Sequence, residues 1–461
     1  MSEQPETEIV TTARICLDFG TAFSKASVFS DAPGPAREAV RALAIGAAAG
    51  SEHPLLTPSV MFVEDGRIMF GPPALERARA CVGADRDPIL SFKLILAARD
   101  IEQALSLKVR RSVDPTDTLR YRDALVLYLA YLDQLILAAI RNDDTLPPAL
   151  ISAPRRYTSP IWRTREEGDR AMARLFDEGA IVSARLGAML LDADGASIAQ
   201  CKDALDKAQQ ALGIGQLEAG VFEAHAAAAA YGAFSRAARN ALLVIDMGAG
   251  TTDIAGFACE TSDAGPILAE IVGARQSCGL AGDEIDQIIV GLLIDKFRLK
   301  QRDAQATLWR LLGLSARALK RDIFLNGKCS FAHGGASRTL HLKELLRAPR
   351  FKEFCLALAS ACAVSMRALA ARARPQDGER LSILLAGGGA HLSFLRTVAS
   401  DAATQAGLRS LVDIEVFGEN WYLPNGYDPN LAAAFPQVAI ALGGALANLT
   451  DEPAADTPVT A

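Results

Sequence analysis

Two stretches of this chain repeat one local pattern, and that repeat constrains the fold more than any other feature. Residues 15–21 and 243–253 each run from an apolar strand into Asp-x-Gly and then hydroxyl residues. A second apolar stretch follows each, at 26–29 and 254–257. Each pattern reads as a β-hairpin with a tip of glycine and hydroxyls. Glycine lets backbone N–H groups close on an anion, and threonine adds donors. Asp18 and Asp246 repel phosphate directly but suit a hydrated Mg²⁺ that neutralises it. The two aspartates stand 228 positions apart. The repeat therefore predicts two similar lobes gripping one nucleotide.

At 461 residues the chain has room for at least two domains. Half of it is hydrophobic and 22% is charged, the balance of a soluble globular protein. A net charge of -6 argues against a dedicated nucleic-acid binder. The eight cysteines form no CxxC and no His-Cys cluster, which points to a reducing cytoplasm and away from structural zinc or disulfides. The polar, acidic start is unlike a signal peptide. The apolar run from Phe354 to Met366 is flanked by Glu353 and Arg367, and its length predicts a buried core helix and no membrane span.

Strand patterns alternate with helical ones, so the expected class is α/β. Thr57–Val63 reads as one strand, paired with Gly66–Gly71. Helical patterns cover 73–81 and 123–141. Residues 149–154 read as a strand entering a loop, followed by a helix from Arg163 to Phe176. Residues 177–216 read as an irregular or helical insertion. An Ala-rich helix spans 224–238, and further helices cover 282–300, 303–324, 351–373 and 430–449. Leu381–Ala386 reads as a buried strand ending in Gly387-Gly388-Gly389. Pro33-Gly34-Pro35 marks a turn, and residues 1–12 and 450–461 read as disordered tails.

Five motifs in order resemble the actin/hexokinase/Hsp70 ATPase superfamily, most closely the Hsp70 nucleotide-binding domain. Asp18-x-Gly20-Thr21 resembles the first phosphate loop, and Asp246-x-Gly248-Ala249-Gly250-Thr251-Thr252-Asp253 resembles the second. Gly387-Gly388-Gly389-Ala390 resembles the adenosine loop. Glu223 to Gly232 resembles the helix joining the lobes, and Leu280-Ala281-Gly282-Asp283-Glu284-Ile285-Asp286 the turn that opens the next helix. Thr57-Pro58-Ser59-Val60 followed by Phe92-Lys93 resembles the Hsp70 spacing of a lysine, and Ile151 to Pro154 the segment around its allosteric proline.

The resemblance implies a two-lobed fold of duplicated ribonuclease H-like cores with inserted subdomains. Lobe I would take 13–238, with core 13–38 and 113–238, an inserted subdomain 39–112, the extra insertion 177–216 and the closing helix 430–449. Lobe II would take 239–429, with core 239–281 and 375–429 and an inserted subdomain 282–374. ATP and Mg²⁺ would lie between them. By that resemblance Asp18 and Asp246 hold the metal through its waters. Gly20, Thr21, Ala22, Gly248, Ala249, Gly250 and Thr251 cradle phosphates. Gly282, Asp283, Lys320, Arg321, Gly387, Gly388, Gly389 and His391 surround the nucleoside. Lys93, Glu223 and Asp253 act on the transferred phosphate and the attacking water.

Departures qualify the match. Arg317 stands where Hsp70s carry an acid, Ala22 replaces a hydroxyl, Ala224 replaces a proline, and His391 falls in an altered adenosine loop. After Leu449 no interdomain linker or peptide-binding domain is expected. The expected function is a slow, cytoplasmic ATPase whose lobe closure controls a separate protein partner, with no nucleic acid or membrane span involved. The alternatives are a nucleotide-gated binding module without turnover, a filament-forming bacterial actin and, more remotely, a small-molecule kinase.

Overall fold

The computed structural model describes residues 13–30, 36–81, 85–96, 98–159, 165–211, 217–218, 220–235, 241–262, 265–299, 301–373, 380–418 and 429–446. Both tails, the 33–35 turn and the expected helix start at Arg163 lie outside them, as do residues 212–216 of the insertion and the ends of the 224–238 and 430–449 helices.

Each hairpin seeds a five-strand path of the same design. In the first sheet Val40–Leu43, Phe23–Ser30, Ala13–Asp18, Arg155–Ser159 and Val221–Phe222 lie side by side, with Thr57–Pro58 paired to Phe23–Ser30. In the second sheet the order is Gly265–Cys278, Thr252–Ser262, Ala241–Met247, Leu381–Ala386 and Val412–Val416. In chain order both read third-second-first-fourth-fifth. The first three strands are antiparallel and the last two join in parallel. Parallel strands are covered on both faces, and Ala241–Met247 and Leu381–Ala386 are accordingly buried at every residue.

Helices Glu223–Phe234 and Pro429–Ala445 pack between the sheets. Their core joins Cys16 and Phe29 of the first sheet to Leu242, Val244, Phe257 and Leu384 of the second. The lack of a side chain at Gly443 lets the two helices approach closely, and the lack of one at Gly444 lets the second helix lie against the first sheet. A Cβ on Gly443 would stand 1.8 Å from the Ala226 carbonyl, and one on Gly444 would stand 2.5 Å from the Cys16 sulfur.

Several sequence expectations change. Thr57–Val63 is two strands in different sheets: Thr57–Pro58 pairs with Phe23 and Ser24, while Met61–Glu64 pairs with Arg67–Phe70. Pro58 has no N–H to continue a ladder, and the Ser59 N–H turns to the Ala22 carbonyl at 2.9 Å. Asp65 and Gly66, both at positive φ, close the Met61–Phe70 hairpin. The strand expected at 149–154 is a 3₁₀ helix, Pro148–Ser152, and the strand proper is Arg155–Ser159. Pro148 suits a first helical position. The 177–216 segment begins inside helix Arg165–Leu186, adds a short strand Ala196–Ser197 against Arg67–Ile68, and continues as helix Ile198–Gln210.

Among the described residues two helices are long and apolar enough to cross a membrane by length and composition. Tyr121–Arg141 fills the core beside the first sheet. Pro349–Ala373 buries one face, but Leu356 and Val364 are exposed, so the 354–366 run is only partly interior.

Candidate functional site

The two hairpin tips supply matched pairs of cross-strand positions. In the first, Asp18 lies opposite Lys25; in the second, Asp246 lies opposite Asp253. One design thus presents a carboxylate and a cation on one side and two carboxylates on the other. The Lys25 ammonium is 2.6 Å from Asp18 Oδ2, and both side chains are buried. Thr158, on the neighbouring parallel strand, donates its hydroxyl to Asp18 Oδ1 at 3.0 Å. Ser59 donates to the Gly20 carbonyl at 2.7 Å and fixes the first loop from behind.

Lys93 enters from the short helix Lys93–Leu96 and donates to Glu223 Oε1. Both side chains are buried. Burial pushes the Lys93 ammonium below its usual range, while Asp18, Asp253 and Asp246 act to raise it. Asp246 is pushed up to about 7, first by burial and then by Asp253 and Asp18. Burial also raises Asp253, against hydrogen bonds from Ser277 and Thr251. These mutual influences place Asp18, Lys25, Lys93, Asp246 and Asp253 within electrostatic reach of one another.

Glycine is required where backbones converge on this centre. Gly387 has φ +77°, and a Cβ there would meet Asp246 Oδ1 at 2.2 Å. Its N–H donates to the Pro436 carbonyl at 2.9 Å. Gly282 and Asp283, opening helix Gly282–Phe297, donate their N–H groups to the carbonyls of Gly248 and Ala249 at 3.1 and 2.7 Å. A Cβ on Gly282 would sit 2.9 Å from the Lys320 ammonium. The second tip, the helix N-terminus and Lys320 are therefore one packed unit. Asp283 is raised by burial, with Arg317 opposing.

The structure brings together Asp18, Gly20, Thr21, Lys93, Glu223, Gly248, Asp246, Asp253, Gly282, Asp283 and Gly387. It directs others elsewhere. Lys320 is held by Asp286 at 3.0 Å and by the Gly282 carbonyl at 2.8 Å. Arg321 is over half exposed and reaches Glu52 at 3.4 Å. His391 and Gly388 are exposed. Arg317 spans from helix Arg302–Asn326 to the first loop, donating to the carbonyls of Thr21, Ala22 and Leu90 at 3.5, 3.4 and 3.1 Å.

Lys25 and Thr158 escaped the sequence reading. Lys25 had a readable signal, because hairpin register from Asp18 across a Gly-containing tip brings it opposite. Thr158 has none, because only the long-range parallel pairing of Arg155–Ser159 with Ala13–Asp18 brings it to Asp18.

Asp246 Oδ1 and Asp253 Oδ1 are buried with no hydrogen-bond partner among the described residues. Such oxygens ask for a cation or its water. Among the described residues no group of three or more His, Cys, Asp or Glu is placed to hold a metal. The two unpartnered carboxylate oxygens suit a hydrated hard ion such as Mg²⁺, which keeps several waters and takes one or two carboxylates.

Residues 202–413 match the family model described as Hsp70 protein. The matched range includes Glu223, the second hairpin, Lys320 and Gly387 to Gly389, and leaves out Asp18, Lys25 and Lys93. No curated protein matches the chain.

Proposed function

We propose that this Hsp70-like nucleotide-binding domain of the actin/Hsp70 superfamily binds ATP with Mg²⁺ between its two hairpin tips and hydrolyses it slowly. The lobes would be 13–238 and 239–429, and their opening and closure would control a partner protein in the cytoplasm. The family match at 202–413 supports ATP binding in general. The observation that carries the finer reading is the convergence of two like hairpins on five interacting charges, two of whose carboxylate oxygens have no hydrogen-bond partner among the described residues.

The residues divide by chemistry. Backbone N–H groups of Gly20 to Ala22 and Gly248 to Thr251 suit the phosphate oxygens. Lys25 and Lys93 supply positive charge on the first-hairpin side, where negative charge develops during phosphoryl transfer. Asp18 and Asp246 would hold Mg²⁺ through its waters, and the ion would neutralise phosphate charge. Glu223 and Asp253 would orient the attacking water. Release of Lys93 from Glu223 would free both groups for these roles.

A second reading, a nucleotide-gated module without turnover, draws on Lys320. Its engagement by Asp286 and the Gly282 carbonyl withdraws it from a ligand's base. Phosphate release separates the two, with Lys93→Ala and Asp246→Ala as controls. Turnover in wild type that both variants lose supports the ATPase. ATP binding without any turnover leaves the module.

A further inference from the structure

Next to Glu223 lies a buried charge cluster that the chemistry above does not use. Glu270, only 3% exposed, sits on the edge strand Gly265–Cys278 of the second sheet. Arg275 grips it with two donors, one at 2.6 Å. On its other side His225 Nε2 lies 3.3 Å from Glu270 Oε2. Burial works to raise the Glu270 carboxyl, and the His225 and Arg275 contacts outweigh it and hold it at about 2.

Glu270 and Arg275 are five residues apart, which in an unbroken strand sets them on opposite faces. The strand is broken: Ile271 pairs with Gly256, and the next pair is Gln276 with Ile254. Four residues, Val272 to Arg275, oppose the single Ala255. The three extra residues reverse the parity and turn Arg275 back onto Glu270. Val272 and Gly273 are exposed at the bulge, while Ala274 is fully buried.

The cluster clasps Phe222 and His225, one on each side of Glu223 in the chain. The Arg275 guanidinium stands over the Phe222 ring at 5.2 Å. His225 contacts the Phe222 ring at 5.6 Å and meets Phe257 edge-on at 5.2 Å. Glu223 itself contacts Lys93 from the first-sheet side. Its carboxylate therefore faces one half of the molecule while residues 222 and 225 are fastened to the other. A buried ion pair is an expensive way to join two surfaces that apolar packing could join.

We propose that Glu270 and Arg275 are positioning residues for Glu223, fastening the helix start that carries the Lys93-facing carboxylate to the second sheet's edge strand. This rests on the ATPase reading for its kinetic consequence, but not for its structural one.

The test uses the full chain with Glu270→Gln, and Arg275→Lys, which keeps a cation beside the buried carboxylate but loses the two-donor grip, as the milder second variant should Glu270→Gln fail to fold. Phosphate release is measured in a single turnover at saturating ATP-Mg²⁺, with ATP affinity by calorimetry. Misplacement of a reacting group by an ångström costs about a hundredfold in rate, so a fall of about ten- to a hundredfold is expected, with affinity unchanged within about twofold. Hydrogen exchange of the nucleotide-free chain should quicken in the first turn of helix Glu223–Phe234. Wild-type rate and exchange in a folded variant would overturn the proposal, as would an equal loss of rate and affinity. If wild type releases no phosphate, the ATPase reading fails, and exchange alone decides the structural tie: faster exchange in the variants upholds it, and unchanged exchange overturns it.

Discussion

Replacing Asp246 by Asn should remove a pH dependence from the stability of the nucleotide-free, metal-free chain. In the folded state the Asp246 carboxyl is raised from 3.8 to about 7, first by burial and then by the charges of Asp253 and Asp18. Below the unfolded value both states hold the proton. Between that value and the folded one, only the folded state keeps it, so stability falls as pH rises through this window and levels off above about pH 7. From pH 5 to the folded value is about two units, and each unit corresponds to about 1.36 kcal/mol, so moving from pH 5 to pH 8 costs wild type about 3 kcal/mol through this group. Asn has the same shape and no charge to bury. Urea unfolding with a chelator present, at pH 5 and pH 8, gives the wild-type-minus-variant difference at each pH. That difference should move by about 3 kcal/mol in favour of the variant at pH 8. A difference that is the same at both values would refute the reasoning, because it would mean that Asp246 is not a desolvated carboxylate beside others of its kind.

Other perturbations follow from close contacts. Gly387→Ala puts a methyl against Asp246 Oδ1 and the Met247 carbonyl at a positive φ; calorimetry should show nucleotide binding lost while circular dichroism stays near wild type. Gly443→Ala forces the helices Glu223–Phe234 and Pro429–Ala445 apart at the Ala226 carbonyl, and urea unfolding should report a loss of about 3 kcal/mol, typical of an overpacked core. Lys25→Met leaves the buried Asp18 carboxylate without its cation, so the nucleotide-free chain should lose about 3 kcal/mol at pH 8, read by the same unfolding assay. Arg317→Ala removes donors to three carbonyls; at about 1 kcal/mol of net gain lost, stopped-flow release of a fluorescent ATP analogue should quicken about fivefold.

The hairpins could be read from sequence because their chemistry is local: glycine, hydroxyl and aspartate occupy a few consecutive positions. Lys25 needed one further step, the register that sets it opposite Asp18. The Glu270–Arg275 pair was out of reach, since only the bulge between Ile271 and Gln276 brings the two to one face. Around residues 148–159 the apolar run drew the strand too early, because Pro148 and Pro154 delay it to Arg155. At 57–63, β-branched and apolar residues suggested one strand, and Pro58 divided it between two sheets. The nucleoside side is the least legible in the sequence. Charge pairing decides where Lys320 and Arg321 point, and their partners Asp286 and Glu52 lie far off in sequence.

The most direct measurement is titration calorimetry of ATP into the wild-type chain and into Asp246→Asn, with Mg²⁺ and with chelator. Saturable binding of one ATP per chain, dependent on Mg²⁺ and lost or strongly weakened in the variant, is the predicted result. Absence of ATP binding at millimolar nucleotide, or binding indifferent to both Mg²⁺ and Asp246, would contradict the claim that the two hairpins form a single metal-nucleotide grip.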